Sequence, residues 1–266
     1  RIPGRRWSSI QRVARLSARP WLEAGGEPLE AYDAFLIRLI PGGSLEQVIF
    51  RVDALHRLEN AGVRVINPPA AIERTVDKYY TSSLLEDAGL PTPRTIVAEQ
   101  FRDAMDAFHE LGGDVVVKPI FGSEGRGMAR VSDPDTAYRV FRALELGRYV
   151  YYLQTFVPHN QEDLRIFVIG NRAVAGMVRR GDTWKTNVAQ GADALPLTPD
   201  RELSALGVRA ARALGADYAG VDILPTESGD YTVIEVNGIP GWQGLQRATG
   251  IDVAQLLVDD VLERIG

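Results

Sequence analysis

Apolar and polar positions along the 266-residue chain follow two periods, about 3.6 and 2, and the switches between them mark out its elements. Residues 1–20 set Trp7, Ile10, Val13 and Leu16 among six arginines, the spacing of a basic amphipathic helix. Asp33–Ile40 is a nearly unbroken apolar strand in which the lone Arg38 requires a carboxylate or phosphate partner. Ser44 with Gln47 forms a capping-box pattern, and Leu45, Ile49, Val52 and Leu55 then recur at helical spacing until Gly62. A strand over Val63–Ile66 completes a strand, helix, strand unit, which predicts a small parallel α/β domain. Helices are predicted over Val76–Ala88, Phe101–Leu111, Pro134–Leu146, Arg201–Leu214 and Asp252–Ile265, most of them closed by glycine. Strands are predicted over Tyr149–Phe156, Ile166–Ile169 and Ala173–Val178. Gly220–Leu224 and Tyr231–Asn237 form a hairpin through the turn-rich residues 225–230.

Two stretches carry candidate chemistry. In the hairpin, alternation sets Tyr231, Val233, Glu235 and Asn237 on one face, and strand pairing brings Asp222 beside Glu235. Two carboxylates so close repel, so one takes a proton or a cation sits between them; no basic residue within the hairpin neutralises them. An Asp, Glu, Asn set of hard oxygen ligands suits magnesium in the company of phosphates. The same pattern also describes an edge hairpin with solvated acids. The second stretch, Asp114–Val131, runs a β-branched strand into Lys118 and then Gly122, Gly125 and Gly127. Glycines let backbone N–H groups approach an anion, and a lysine adds a point charge, so the loop reads either as a phosphate-covering flap or as a plain hairpin turn. The lysine precedes the glycines, which excludes the P-loop pattern.

Composition narrows the classes. A hydrophobic share of 45% supports a sizeable core, and a net charge of -5 with a pI near 5.4 argues against nonspecific nucleic-acid binding. The chain has no cysteine, which excludes a disulfide framework, a thiolate nucleophile and a cysteine metal site. No apolar run is long enough to span a bilayer and no signal-peptide pattern opens the chain. The expectation is a soluble cytoplasmic protein with no membrane or nucleic-acid partner, trimmed before Arg1 and lacking an N-terminal strand. His56, His109 and His159 show no metal-ligand spacing and are expected at the surface.

The two stretches, in order and with their flanks, resemble the ATP-grasp ligases, and among them the RimK-like α-L-glutamate ligases, from about Asp33 onward. The resemblance is carried by TVDKYYTSSLLEDAGLPTP, VVVKPIFGSEGRGM, QTFV, EDLRIFVIGNRAVAGMVRR, TWKTN, GVDIL, EVNGIPG and GLQRATGIDVA. It implies an α/β plus α+β fold. A shortened N-terminal α/β (pre-ATP-grasp) domain over 1–77 precedes an ATP-grasp domain over 78–266, whose lobes 78–150 and 151–266 grip ATP. By motif position it places Lys78 and Lys118 on the ATP phosphates, Gln154, Thr155 and Phe156 at the adenine hinge, and Asp163 on the ribose side. Arg165, Arg179, Lys185, Thr186 and Asn187 fall at phosphate and acyl-phosphate contacts, with Arg179, Lys185 and Asn187 as the catalytic set. Asp222, Glu235 and Asn237 match ligands for two magnesium or manganese ions.

The chain departs from the family pattern at Thr155, where a Glu is usual, at Lys185, where relatives carry Arg, and at Trp242, a bulky ring that could stack a flat acceptor. The implied activity is ATP-dependent joining of a carboxylate and an amine through an acyl phosphate, with L-glutamate added to a small acceptor such as a glutamylated coenzyme. The alternatives are a protein acceptor (a ribosomal protein tail or an amino-group carrier protein), a non-catalytic synapsin-like nucleotide-binding module, or a partner-binding protein that uses its basic N-terminus. A homo-oligomer is left open.

Overall fold

The computed structural model describes residues 12–16, 19–122, 125–186 and 192–265. The N-terminal part holds two small sheets. Strands β1 (Arg12–Ala14), β2 (Leu22–Ala24) and β3 (Glu27–Pro28) pair antiparallel, turning between β2 and β3 at Gly25 and Gly26, both with positive φ. The helix expected over residues 1–20 is therefore absent at Arg12–Ala14, where pairing to β2 wins over amphipathic spacing; residues 1–11 lie outside the described residues. Strand β4 (Ala34–Leu36) pairs in parallel with β5 (Arg64–Ile66) across helix α1 (Leu45–Asn60). The capping box of α1 is formed in full, Ser44 accepting from the Gln47 N–H while the Gln47 side chain accepts from that of Ser44. Ala54 and Leu58 of α1 pack on Val63, Val65 and Ile72.

The helix expected over Val76–Ala88 is present from Lys78 to Asp87, and a short helix that was not expected precedes it. Helix α2 (Pro69–Val76) begins with proline at its first position, and α3 (Lys78–Asp87) is capped by Asp77, whose carboxylate accepts from the Tyr80 N–H at 3.0 Å. The break at Asp77 puts Lys78 at the start of α3.

A four-stranded sheet follows, built from β6 (Thr95–Ala98), β7 (Val115–Lys118), β8 (Ala129–Val131) and β9 (Tyr151–Thr155) in the order β6-β9-β7-β8. Helices α4 (Phe101–Glu110) and α5 (Pro134–Leu146) cover one face, where Phe108 and Phe141 meet Val115 and Leu153. Because β9 lies between β6 and β7, this sheet runs on to Thr155, past residue 150.

The last sheet is antiparallel and has five strands, β10 (Glu162–Ile169), β11 (Arg172–Arg180), β12 (Asp193–Leu197), β13 (Tyr218–Pro225) and β14 (Tyr231–Asn237), ordered β12-β11-β10-β13-β14. Both of its faces are covered, which explains why β13 reads as an almost continuous apolar run and not as an alternating one. On one face, Ile166, Val168, Val221 and Ile223 pack against Leu206 and Ala210 of α6 (Arg201–Ala213) and Leu85 of α3. Gly207 lets α6 approach, since a Cβ there would lie 2.9 Å from Ile166 Cγ2. On the other face, Phe167, Ile169 and Tyr218 meet Leu245 of α7 (Gln243–Thr249) and Val253 and Leu257 of α8 (Val253–Ile265). Each buried leucine of these layers contributes about 2 kcal/mol of apolar transfer. Among the described residues no helix is long and apolar enough to cross a membrane.

Candidate functional site

A cleft opens between the four-stranded and five-stranded sheets, lined from both. The chain's thirty lysines and arginines include only three lysines, Lys78, Lys118 and Lys185, and all three line this cleft. Everywhere else the chain uses arginine. A compact, mobile ammonium has thus been kept only where the cleft lies, which is a signal the sequence contained and motif spacing alone did not bring out.

Each lysine is held by a neutral oxygen. Lys78 Nζ donates to the Gly122 carbonyl at 2.6 Å, tying the start of α3 to the glycine loop. Lys118, the last residue of β7, donates to Gln154 Oε1 at 2.5 Å. Lys185 donates to the Met128 carbonyl at 2.8 Å, bridging the segment after β11 to the strand that leaves the glycine loop. Burial is the main cause that pulls the Lys118 ammonium down to about 8; Glu235 and Asp222 oppose the fall, and Lys78 adds to it. Gly122, Gly125 and Gly127 all take positive φ, so the loop turns at positions where a side chain would be strained.

Behind the lysines lies a buried cluster of charge. Asp222 of β13 takes two bonds from Arg165 of β10, at 2.6 and 2.7 Å, and a contact from Arg179 of β11 at 2.9 Å. Arg179 also grips both oxygens of Asp163, at 2.5 and 2.7 Å, and Thr186 donates its hydroxyl to the same carboxylate. These groups share one site because β10 and β11 pair Asp163 with Arg179, while β10 and β13 pair Arg165 with Asp222. Burial works against ionising Asp222, but Arg165 and then Arg179 outweigh it and hold the acid below its ordinary range. Burial raises Asp163, assisted by Asp222 and opposed by Arg179. Burial would lower Arg179, yet its two carboxylates leave it above the usual arginine value.

This cluster corrects the reading of the hairpin. Asp222 does face Glu235 in the β13–β14 register, but its charge is balanced by Arg165 from the adjacent strand β10 and Arg179 from β11, the strand beyond it. Sequence within a hairpin cannot reveal a partner two strands away. The register also shifts at Ile234, where a bulge breaks the alternation expected along 231–237: Val233 and Val236 enter the core, while Ile234 and Glu235 both line the cleft. Asn237 reaches Asp222 Oδ2 with its amide at 3.5 Å. Among the described residues no group of three or more His, Cys, Asp or Glu is arranged to hold a metal, so a cation here would rely on Asp222, Glu235 and the amide oxygen of Asn237.

Of the other expected site residues, Gln154, Thr155, Phe156, Asp163, Arg179 and Thr186 line the cleft with the three lysines. Arg165 is turned onto Asp222, and Asn187 lies outside the described residues. Alternation along β9 sends the Thr155 side chain away from the face that Gln154 uses, and its buried hydroxyl has no partner among the described residues. The surroundings of Phe156 are aromatic. Arg130 stacks over Phe156 at 3.6 Å while its guanidinium holds Asp114, and Trp184 and His159 meet the same ring at 6.2 and 5.7 Å. His159, expected at the surface, is half-buried in the cleft wall, with ring nitrogens 2.6 Å from the Val157 carbonyl and 2.9 Å from that of Trp184. Its place three residues after Phe156 was the only hint of this in the sequence. Among the described residues Arg38 pairs with no carboxylate; it donates to the Pro240 carbonyl and the Tyr218 hydroxyl and stacks on Trp242 at 3.6 Å. That face of Trp242 is therefore taken by Arg38.

The model of the RimK-like ATP-grasp domain matches residues 75–261. A tetrahydromethanopterin:alpha-L-glutamate ligase of Methanococcus maripaludis is 39% identical over 221 residues, covering 81% of this chain and 75% of its own length. The alpha-aminoadipate–LysW ligase LysX of Sulfurisphaera tokodaii is 36% identical over 213 residues, covering 78% and 74%. Among solved structures, the ATP-grasp ligase PsnB complexed with a minimal precursor, Mg and ADP superposes with a TM-score of 0.73 at 20% identity, covering 97% of this chain and 85% of PsnB. The matched domain holds the cleft, its three lysines and the Asp163, Arg179, Asp222 cluster, and on these grounds the chain belongs to the RimK-like ATP-grasp family and is an ATP-grasp ligase.

Proposed function

We propose that the chain uses ATP to activate a carboxylate on a small coenzyme-like acceptor and joins it to the amine of L-glutamate. The observation that carries this reading is the gathering of every lysine of the chain in one cleft beside a buried arginine and carboxylate cluster. Such a site neutralises charge on phosphates and offers no thiol or Ser-centred nucleophile, which suits transfer of a phosphoryl group to a substrate oxygen. The ligases named among the relatives, one acting on a tetrahydromethanopterin and one on LysW, support both the amide chemistry and a choice between a small and a protein acceptor. We place the nucleotide between a lobe that ends at Thr155 and a lobe built on the five-stranded sheet, with residues 1–77 as a preceding α/β unit.

In this reading, the acceptor carboxylate attacks the γ-phosphorus of ATP, ADP leaves, and the acyl phosphate is attacked by the glutamate amine to release inorganic phosphate. Lys78 and Lys118 bear on the phosphates from the loop side, and Arg179 and Lys185 steady the transferring group from the sheet side. Phe156, flanked by Trp184, gives the base an apolar wall. The donor set of Asp222, Glu235 and Asn237 fits magnesium, consistent with the Mg and ADP of the PsnB complex, and a bound ion would neutralise phosphate charge. Asp222 would then exchange guanidinium contacts for metal, leaving Arg165 and Arg179 able to turn toward the phosphates. Closure of the glycine loop excludes water from the acyl phosphate.

The test is product mass spectrometry after incubation with ATP, magnesium, L-glutamate and a panel of acceptor carboxylates, small molecules in one arm and acidic carrier proteins in the other. A mass gain of one glutamyl residue with equal release of ADP supports the reading. ADP release that is independent of both acceptor and amine contradicts it.

A further inference from the structure

Gln154 is 2% exposed, and its side chain stands between Lys118 and a pair of hydroxyls. Its Nε2 donates to Thr95 Oγ1 at 3.0 Å and reaches the Tyr152 hydroxyl at 3.4 Å. The Thr95 hydroxyl spends its one hydrogen on the Pro93 carbonyl at 2.9 Å, so toward Gln154 it can only accept. The amide therefore has one satisfied orientation, with NH₂ toward Thr95 and the carbonyl oxygen toward Lys118. The opposite flip would set the NH₂ against an ammonium and a carbonyl oxygen against a hydroxyl with no hydrogen to give. Tyr152, itself paired with Ser82 of α3 at 2.7 Å, closes the back of this network.

The charged groups that act on Lys118 are Glu235, Asp222 and Lys78, from β14, β13 and α3. Both acids lie across the cleft on the opposite sheet, and the partner within bonding distance is the neutral amide. A carboxylate in the position of Gln154 would bind the ammonium more tightly but cancel its charge; an apolar side chain would leave it unaimed.

We propose that Gln154 is a positioning residue, a neutral acceptor locked in one orientation by Thr95 and Tyr152 that aims the Lys118 ammonium at the nucleotide phosphates without spending its charge. This rests on the reading of the cleft as the nucleotide site, and it replaces the hinge contact that motif position assigns to Gln154. The residue acts through Lys118 and not on the base.

The experiment is a double-mutant cycle on binding of ADP with magnesium, followed by calorimetry and, for weak binders, by ADP-dependent thermal stabilisation up to millimolar nucleotide. Gln154→Leu, which removes the acceptor without adding charge, should weaken ADP about tenfold, the scale of one hydrogen bond to a charged group. In a Lys118→Met background the same change should alter ADP binding less than about twofold, because the group it acts through is gone. Thr95→Val, which removes the acceptor that fixes the amide and leaves the Gln154 and Lys118 side chains in place, should weaken ADP about threefold on the same hydrogen-bond scale, and only when Lys118 is present. Equal weakening by Gln154→Leu in both backgrounds would overturn the proposal, as would no weakening in the first; if that variant fails to fold, the Thr95→Val cycle decides by the same rule. Failure of the parent protein to bind ADP would instead overturn the nucleotide reading of the cleft.

Discussion

Asp222→Asn is the substitution on which the hairpin's sequence pattern and the structure disagree most. From the pattern alone, removing one of two facing acids relieves repulsion and leaves the metal-free protein unharmed or more stable. In the structure the Asp222 side chain is 2% exposed and joined to Arg165 by two short bonds and to Arg179 by a third. Breaking a buried pair from one side costs about 3–5 kcal/mol. Asparagine keeps one acceptor oxygen and Arg179 keeps Asp163, so the expected loss is about 2–4 kcal/mol. Glu235→Gln should cost less than about 0.5 kcal/mol, since no ion pair holds Glu235 among the described residues. The pH dependence follows from the lowered acid. Asp222 has a folded pKa below its unfolded value, so its contribution is complete above an unfolded pKa of about 3.9 and is lost as pH falls through the folded one. Urea unfolding in a chelator at pH 8, pH 6 and below pH 4 measures this. The deficit of Asp222→Asn should be full at the two higher values and begin to shrink at the lowest. Equal losses for the two variants, or a stabilised Asp222→Asn protein, would refute the neutralised-cluster account.

Three further outcomes are expected. Nucleotide with magnesium should slow tryptic cleavage at Arg126 in the glycine loop, because Lys78 already ties that loop to α3 and bound phosphates add contacts; equal cleavage with and without nucleotide would count against a closing flap. Lys185→Ala should lose on the order of a hundredfold in turnover, the scale of one preorganised donor, while Lys185→Arg keeps the charge and is tolerated; an active alanine variant would remove Lys185 from the chemistry. ADP affinity should fall as pH rises past about 8, because Lys118 holds phosphate only as the ammonium, and a flat profile from pH 7 to 9.5 in the wild type would show that its charge is not used.

The elements that sequence disclosed best are those whose signals are local. The capping box at Ser44, the bounds of α5 from Pro134 to Leu146 and the hairpin register of Asp222 with Glu235 all depend on neighbours or on one turn. What stayed hidden depends on contacts made by distant strands or on short interruptions. Helix α2 is short and opens on two prolines, the strands β6 and β12 have few residues to establish a period, and the bulge at Ile234 inverts faces without any glycine or proline to announce it. Of the site, the residue types were legible and their partners were not. Arg165 and Arg179 were expected on phosphate, and the register of β10 with β11 and β13 turns both of them onto acids. The restriction of lysine to three positions was visible in composition, but its meaning needed the cleft.

That restriction also provides the most direct test of the central claim, that one cleft takes the nucleotide against Lys78, Lys118 and Lys185. Reductive methylation of lysine, quantified by mass spectrometry of peptides, can be run with and without ATP and magnesium on the wild-type chain. With no other lysine in the sequence, every modified lysine side chain reports on the cleft. The account predicts that nucleotide slows methylation at all three positions together and that the effect vanishes when ATP is omitted. Unchanged rates at the three lysines under saturating ATP and magnesium would contradict it.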